Sequence, residues 1–348
     1  MSSFASRIVR WQRRHGRHDL PWQAGETGTR DPYRVWVSEI MLQQTQVATV
    51  IPYFERFVAR FPTLASLAAA DENEVLALWS GLGYYSRARN LHAAARQVLD
   101  HHGGRLPADP ATLARLPGIG RSTAAAIAAL AFGRRAAILD GNVKRVLARH
   151  AGVAGWAGDG RVEAELWRLA DARLPTRGIE AYTQGMMDLG AQVCTRGQPD
   201  CHACPVNADC IAYTQGRIAE LPTPRPRKTL PEREVQMLLL IDRGELLLEK
   251  RPPRGIWGGL WSLPELDADA DPRRHCRERL GLTARTQAML PRLSHGFTHF
   301  RLHIQPVRLD LAPRPATLPG HLWLPPADAL GAALPAPVRR LIAQLDGA

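Results

Sequence analysis

The chain has 348 residues, which is long for one domain and predicts two or three. Its net charge of +12 at pH 7 makes nucleic acid the first candidate partner, although basic proteins also bind ribosomes, acidic proteins and anionic membranes. No run of eighteen apolar residues occurs, which excludes a membrane-spanning helix and predicts a soluble protein with no membrane partner. We also expect a cytoplasmic monomer.

The N-terminal stretch has two interpretations. Residues Met1–Pro21 are rich in arginine and nearly free of acids, as a transit peptide would be. Phe4, Ile8 and Trp11 nevertheless recur at helical spacing. We therefore expect a first helix over Phe4–His15.

Composition changes along the chain and predicts a domain boundary. The pattern from Val35 to about Ile218 is helical and rich in Ala and Leu. The segment Leu221–Lys228 is proline-rich and basic, which predicts an exposed linker. Beyond it, the apolar runs Val235–Ile241 and Leu246–Glu249 flank a turn sequence, which predicts a β-hairpin. An all-α region is therefore expected to precede an α+β domain.

A helix is predicted to begin at Asp31, and its apolar residues are interrupted by the polar Gln43–Gln46. Such a break indicates function. Glu39 is flanked by apolar residues, so we expect it to be desolvated, to stay protonated near neutral pH and to act as a general acid. The commoner alternative is a solvent-facing helix glutamate.

A helical hairpin is predicted around Leu116-Pro-Gly-Ile-Gly120. Asp109-Pro110 is a good helix start before it, and the alanine-rich Arg121–Phe132 should form the second helix. The backbone around Leu116, Gly118 and Gly120 would then hold a DNA phosphate without reading base sequence. An ordinary helix-helix turn is the alternative.

Asp140 follows Gly120 by twenty residues and should cap the next helix, a role that aspartate fills often. Hairpin, spacing and cap together resemble the helix-hairpin-helix DNA glycosylase superfamily, which implies that Asp140 acts at the scissile sugar. Ser122 stands where the lyases of that superfamily carry a nucleophilic lysine, and serine cannot form a Schiff base. The resemblance therefore implies base removal without efficient strand cleavage, although Lys144 could contact the DNA backbone or give weak lyase activity.

The segments Leu20–Gln23, Asp31–Val50 and Gly81–His92 closely resemble the adenine DNA glycosylases of the MutY family, and the resemblance covers nearly the whole chain. It implies that Glu39 protonates N7 of a flipped adenine and that ionised Asp140 stabilises an oxocarbenium ion, as a covalent intermediate or an ion pair. It also implies further DNA contacts: Trp22, Ser122, Asn142 and Gln184 at the base, and Gln44 and Tyr84 inserted into the duplex. Core packing is the alternative for Tyr84.

Four of the five cysteines lie within seventeen residues, as Cys194, Cys201, Cys204 and Cys210. Without a secretory signal the thiols should stay reduced, which favours metal ligation over disulfides. A four-cysteine zinc site is the chemical alternative, but the asymmetric spacing resembles the [4Fe–4S] loop of the glycosylase superfamily. The loop is expected to direct Arg196 toward the DNA backbone.

The segment Leu246–Glu265 looks like the opening of a Nudix fold, which raises nucleotide pyrophosphohydrolysis as a rival function. His275 and Arg279 stand where such enzymes carry carboxylates for Mg²⁺, so we expect no magnesium site. The domain instead resembles the lesion-recognition module of adenine glycosylases. That match makes Phe297, Thr298 and His299 the loop that reads 8-oxoguanine, with threonine where the family more often has serine.

The predicted protein is multidomain, with an all-α helix-hairpin-helix glycosylase core and a C-terminal α+β Nudix-like domain. It should remove adenine from A:8-oxoG or A:G pairs in duplex DNA; the alternatives are an oxidised-pyrimidine glycosylase/lyase and a non-catalytic iron–sulfur module. The predicted division is a core over 1–222 (a barrel over 31–132, and an iron–sulfur subdomain from 1–30 with 133–222), a linker over 223–232 and a Nudix-like domain over 233–346.

Overall fold

The structure is a computed structural model that describes residues 3–23, 29–226, 229–313 and 320–345. It divides into two compact units, one formed by Met1–Ala69 with Asn90–Arg227 and the other by Ala70–Arg89 with Lys228–Ala348. The predicted division differs in one respect: it assigns residues 70–89 to the helical core, whereas the structure groups them with the C-terminal unit. The subdivision of the helical core stays a prediction.

Helices occupy the chain up to residue 214. They are α1 (Phe4–His15), α2 (Pro32–Met41), α3 (Val47–Arg60), α4 (Leu64–Ala69), α5 (Glu72–Trp79), α6 (Ser86–His101), α7 (Pro110–Leu113), α8 (Arg121–Phe132), α9 (Gly141–Ala151), α10 (Gly160–Ala172), α11 (Ile179–Asp188) and α12 (Ile211–Thr214). The bounds predicted for α1 and α8 are confirmed. No helix among the described residues is both long and apolar enough to cross a bilayer.

Helix α8 is central to the helical unit. Its residues from Ala124 to Leu130 are all buried, and α2 and α11 both pack against it. Alanine side chains permit this close approach because they occupy little volume. The same packing fixes the start of α8, where Ser122 and Thr123 lie.

The helix predicted to begin at Asp31 does not continue through the polar residues. Asp31 caps α2 and Pro32 is its first residue, but α2 ends at Met41 and α3 begins at Val47. Gln44, between them, has a φ of +59°, which an α-helix cannot accommodate. The polar residues therefore form a turn between two helices.

The prediction of an exposed linker beginning at Leu221 is wrong for its first residues. Leu221 is buried, and its carbonyl accepts a hydrogen bond from Nε of Arg149 at 2.8 Å. Thr223 pairs with Trp156 and accepts from the Gly155 amide at 2.9 Å. Buried backbone groups need such partners, so the first residues belong to the helical unit.

The C-terminal unit contains a mixed sheet with helices on both faces. Its strands are β1 (Glu232–Asp242), β2 (Glu245–Lys250), β3 (Trp261–Ser262), β4 (Glu265–Asp267), β5 (Ala284–Met289), β6 (Leu293–Gly296), β7 (Arg301–Leu311) and β8 (His321–Leu324), and its helices are α13 (Pro272–Leu280), α14 (Pro326–Ala329) and α15 (Ala336–Ala343). The predicted hairpin is confirmed, because β1 and β2 are antiparallel around Arg243-Gly244, both with positive φ as the twist of a tight hairpin requires. The sheet runs β3-β2-β1-β7-β5, with β1 and β7 parallel.

Strand β1 faces a separate core on each side, because alternate residues of a strand point to opposite faces. Leu238 and Leu240 pack with Cys276 and Leu280 of α13. Met237 and Leu239 pack on the other face with residues of α14 and α15. The near-continuous apolar run of β1 is thus explained by burial on both faces.

Candidate active site and cysteine-lined cavity

A cleft of about 610 Å³ opens in the helical unit where several helix ends meet. It is formed by the turn after α2, the first turns of α8 and α9, and the residues that follow α11. The cleft brings together five residues predicted from the sequence: Glu39, Ser122, Asp140, Asn142 and Arg196.

Glu39 lies on the last turn of α2 and points its carboxyl into the cleft. Burial, together with the negative charge of Asp140, raises the pKa of Glu39 to about 7, while Arg30 opposes the rise. The direction of this shift is the one expected for a desolvated glutamate, and the role of Glu39 as a general acid stays a prediction. Near neutral pH a substantial fraction of Glu39 carries a proton.

Asp140 is the N-cap of α9, as predicted. Its Oδ1 accepts from the Val143 amide at 2.8 Å, and its Oδ2 accepts from Nδ2 of Asn142 at 3.2 Å. Burial raises the pKa of Asp140, but these hydrogen bonds and the charge of Arg145 oppose the rise because they favour the ionised form.

The two carboxyl groups therefore differ in the hydrogen bonds that they accept. No hydrogen bond to the Glu39 carboxyl is found among the described residues, whereas Asp140 receives several. A carboxylate that accepts hydrogen bonds retains its charge more readily than an unsupported one. When the pair holds one proton, it belongs on Glu39.

Ser122 and Arg145 hold the start of α9 in place. Oγ of Ser122 accepts from the Leu139 amide at 2.9 Å, next to Asp140 in the chain. Arg145 donates to Oδ1 of Asn142 at 2.8 Å and to the carbonyls of Gly190 and Cys194, both at 2.7 Å. Sequence reasoning missed Arg145; its spacing of three residues from Asn142 on one helix face is the signal that would have found it.

Among the residues assigned to DNA that lie outside the lining of this cleft, three are engaged by other side chains of the helical unit. Trp22 is buried and packs edge-on against Phe54, with ring centroids 5.3 Å apart. Gln184 is buried and accepts from Arg30 at 3.0 Å. Lys144 forms an ion pair with Glu163 at 2.7 Å, so its ammonium is already engaged. The predicted roles of these three side chains are not tested by this arrangement.

The predicted hairpin between α7 and α8 is present. Leu116 is buried and anchors it, and its carbonyl accepts from the Ile119 amide at 3.2 Å. Gly118 has a φ of +76°, and a Cβ there would lie 2.7 Å from Cβ of Asn90. Only glycine satisfies both conditions. Gly120 caps α8 in an extended conformation and leaves the amides of its first turn available to a ligand.

Gln44 and Tyr84 are both exposed and both adopt positive φ, at +59° and +50°. Residues other than glycine seldom occupy this region because it costs about 1 kcal/mol or more. Tyr84 is 46% exposed, so the alternative of core packing is wrong. Each residue therefore presents a strained, solvent-facing side chain within its own unit.

The four clustered cysteines line one small enclosed cavity. No group of three or more His, Cys, Asp or Glu among the described residues is arranged around a point that could hold a single metal ion. Arg149 closes the cavity: it is buried, donates to Sγ of Cys194 at 3.4 Å and to the Thr195 carbonyl at 2.6 Å.

Sequence comparison identifies the family. Residues 37–172 match the HhH-GPD superfamily base excision DNA repair proteins, and residues 236–344 match the NUDIX domain. The chain is 37% identical over 308 residues to the adenine DNA glycosylase of Buchnera aphidicola subsp. Acyrthosiphon pisum, covering 88% of this chain and 87% of the relative. The chain belongs to the adenine DNA glycosylase family. The Mus musculus adenine DNA glycosylase is 35% identical over 382 residues, covering 93% of this chain and 74% of the relative.

Solved structures support the fold of this glycosylase. A thermostable thymine-DNA glycosylase superposes with a TM-score of 0.53 at 30% identity, covering 61% of this chain and 95% of that one. A non-covalent endonuclease III–DNA complex superposes with a TM-score of 0.51 at 23% identity, covering 61% and 94%, and therefore bears on the fold alone. The predicted fold class, family and enzyme class are confirmed.

The C-terminal unit of the glycosylase contains an aromatic cleft of about 650 Å³. Phe297 stacks on Phe300 at 4.4 Å, while the neighbouring Thr298 and His299 are exposed. Trp257 and Tyr84 also line the cleft. Helix α13 contains His275 and Arg279, so it presents basic side chains at these two positions.

Proposed function

We propose that this glycosylase hydrolyses the N-glycosidic bond of adenine paired with 8-oxoguanine or guanine in duplex DNA. The observation that carries the proposal is the pair of Glu39 and Asp140 in one cleft, with hydrogen-bond donors around Asp140 only. Two carboxyls with separated proton affinities are what acid-assisted cleavage of a glycosidic bond needs. The choice of adenine as the excised base comes from the relatives, which are adenine DNA glycosylases.

The proposed reaction begins with a flipped adenine in the cleft. Glu39 donates its proton to N7, so the electron pair of the C1′–N9 bond leaves with a neutral base. Ionised Asp140 stabilises the positive charge that develops on the sugar, either as an ion pair or by a covalent bond to C1′. Water then adds to C1′ and loses its proton to solvent, and any bond from C1′ to Asp140 breaks to return the carboxylate, which leaves an abasic site.

We infer that strand cleavage is not part of the reaction. A lyase needs an uncharged amine at the sugar. Ser122 provides a hydroxyl that is already bonded to the Leu139 amide, and Lys144 is held by Glu163. Both observations support a monofunctional enzyme.

The proposed DNA contacts are made by the hairpin before α8 and by two exposed residues with positive φ. The hairpin at Leu116, Gly118 and Gly120 would bind a backbone phosphate through its amides. Gln44 and Tyr84 would enter the duplex where the adenine leaves it, which their exposure and positive φ support.

Other predicted base and backbone contacts are supported less directly. Asn142 would bind the base or sugar beside Asp140. For Trp22, Gln184 and Lys144 the predicted roles stay predictions.

We propose that Cys194, Cys201, Cys204 and Cys210 hold a [4Fe–4S] cluster. Four thiols line one cavity and match the donor set that such a cluster needs. When bound, the cluster would supply a cross-link that fixes residues 194–210. Arg196, in this segment, lines the cleft, which supports the predicted contact with DNA.

We propose that Phe297, Thr298 and His299 read the base opposite adenine. Phe297 offers a face for stacking, and the hydroxyl of Thr298 and the imidazole of His299 are exposed for hydrogen bonds. We further propose that the enzyme acts as a cytoplasmic monomer.

The test is single-turnover release of adenine from duplexes that carry A:8-oxoG, A:G or A:T, with alkali used to reveal abasic sites. We expect alkali-dependent cleavage of the first two substrates and loss of release in Glu39→Gln. Glu55→Gln, an exposed glutamate on α3, is the matched control. Absence of release by cluster-loaded wild type, or cleavage without alkali, would contradict the proposal.

A further inference from the structure

A second depression of the helical unit lies apart from the candidate active site. It is a groove of about 940 Å³ between one side of α1 and residues 172–178, which join α10 to α11. Its lining shares no residue with the cleft that contains Glu39. Five arginines line this arginine groove, with no aspartate or glutamate: Arg10, Arg13, Arg14, Arg173 and Arg177.

Three of the groove arginines form no ion pair within the described residues. They are Arg13, Arg14 and Arg177, and all three are exposed, as is Arg10. Two like charges about 8 Å apart repel by roughly 0.5 kcal/mol even in water. Repulsion among clustered arginines is unfavourable, and an anionic ligand would relieve it.

Both walls of the groove are fixed before any ligand binds. Arg135 donates to the carbonyls of Pro175 and Leu174 at 3.2 and 3.3 Å, and these hydrogen bonds hold the loop in place. Helix α1 packs tightly on α11, since a Cβ at Gly185 would lie 2.9 Å from Ile8 and from Gln12. A preformed groove binds a ligand without the entropy cost of ordering a loop.

The groove and the cleft lie at opposite ends of α11. Val9 packs at Gly178, where α11 begins, while Arg17 bonds to Asp188, where α11 ends and the lining of the cleft begins. Ten helical residues span about 15 Å. The hairpin is carried by α8, whereas the groove is carried by α1, and both helices pack on α11.

We propose that the arginine groove is a second DNA-binding site, which grips the phosphates of a DNA segment other than the duplex engaged by the cleft. Arginine favours phosphate because its planar guanidinium donates two parallel hydrogen bonds to two oxygens. The occupant is chosen as DNA because the enzyme is a DNA glycosylase. An enzyme holding two segments could pass from one to the other without dissociating.

The test uses the full-length, cluster-loaded enzyme held on an immobilised duplex that carries an uncleavable abasic analogue. Capture of a fluorescent, undamaged second duplex is then measured against salt concentration. The groove variant is Arg13→Gln with Arg14→Gln and Arg177→Gln. The control variant is Arg105→Gln with Arg134→Gln and Arg161→Gln, which removes the same charge from exposed arginines outside the groove and the cleft.

We expect the groove variant to weaken capture of the second duplex roughly tenfold or more and to lower the slope of log K against log salt by about 2 to 3, since each lost phosphate contact removes about 0.9. The control variant should retain capture. Binding to the immobilised duplex and the single-turnover rate should stay unchanged, which also shows that the variant is folded.

Three outcomes would overturn the proposal. Unchanged capture in the groove variant would exclude the groove from DNA binding. Equal weakening on the immobilised duplex would place the groove on the flank of that same duplex. Displacement of the second duplex by polyglutamate more readily than by competitor DNA of equal charge would indicate an acidic protein partner. None of these outcomes depends on which mispair the cleft recognises.

Discussion

The cleft around Glu39 and the aromatic cleft around Phe297 are built from different chemistry. The first contains two carboxyls, and its walls are helix ends whose amides and arginines act on charge. The second is lined by stacked rings, with its polar groups at an exposed tip. Mutations in the first cleft should therefore alter the rate of bond cleavage, whereas mutations in the second cleft should alter the affinity for the opposite base.

Replacing the acid should produce the largest effect. Glu39→Gln keeps the shape of the side chain but has no proton of suitable pKa to give, so we expect single-turnover adenine release to fall by roughly 10²- to 10⁴-fold. Affinity for the mispaired duplex should change little. Retention of the wild-type rate would remove Glu39 from the chemistry and break the contrast.

Replacing the carboxylate of Asp140 should lower the rate of adenine release somewhat less. Asp140→Asn keeps an N-cap oxygen, so the free energy of unfolding should stay within about 1 kcal/mol of the wild-type value. The substitution removes the negative charge opposite the developing cation. We expect the single-turnover rate to fall by about 10²- to 10³-fold. A loss of stability that matches the loss of rate would mean that Asp140 acts only as a helix cap.

Truncating the stacked ring should act on binding instead. Phe297→Ala removes the stacking face, so we expect Kd for the A:8-oxoG duplex to rise about tenfold, while the rate at saturating enzyme stays within about threefold. Met289→Ala, an exposed apolar residue of the same unit, is the control. A large fall in the saturated rate with unchanged Kd would reverse the assignment of the two clefts.

The pH profile should show the smallest effect and locate the acid. Because burial raises the pKa of Glu39 to about 7, its proton is present below that pH and is lost above it. Single-turnover release should therefore fall about fivefold between pH 7 and pH 8, as the protonated fraction drops from a half to a tenth. Glu39→Gln should flatten this limb; an identical limb in the variant would assign the titration to another group.

Local signals in the sequence predicted much of this molecule. The bounds of α1 and α8, the cap at Asp140 and the hairpin of β1 and β2 each depend on a few neighbouring residues. Such elements are encoded locally by caps, glycines and apolar period.

Two errors differ in physical cause. Leu221 looked exposed because its partner, Arg149, lies 72 residues earlier. The break between α2 and α3 is local, since it lies at the positive φ of Gln44. Arg145 was missed although Asn142 is close in sequence, and its partners Gly190 and Cys194 follow it by more than forty residues. For Trp22 and Gln184, family resemblance implied a role, but the packing that buries them could not be predicted from spacing.

Arg149 joins two parts of the helical unit through one side chain. Its guanidinium donates to the carbonyls of Thr195 and Arg196 in the cysteine segment and of Leu221 at the end of the unit. Neither segment can open without losing bonds to the same group. Amides of the two segments that depend on this anchor should therefore exchange with solvent in one cooperative opening, so oxidative damage to the cysteines would also loosen the chain at Leu221.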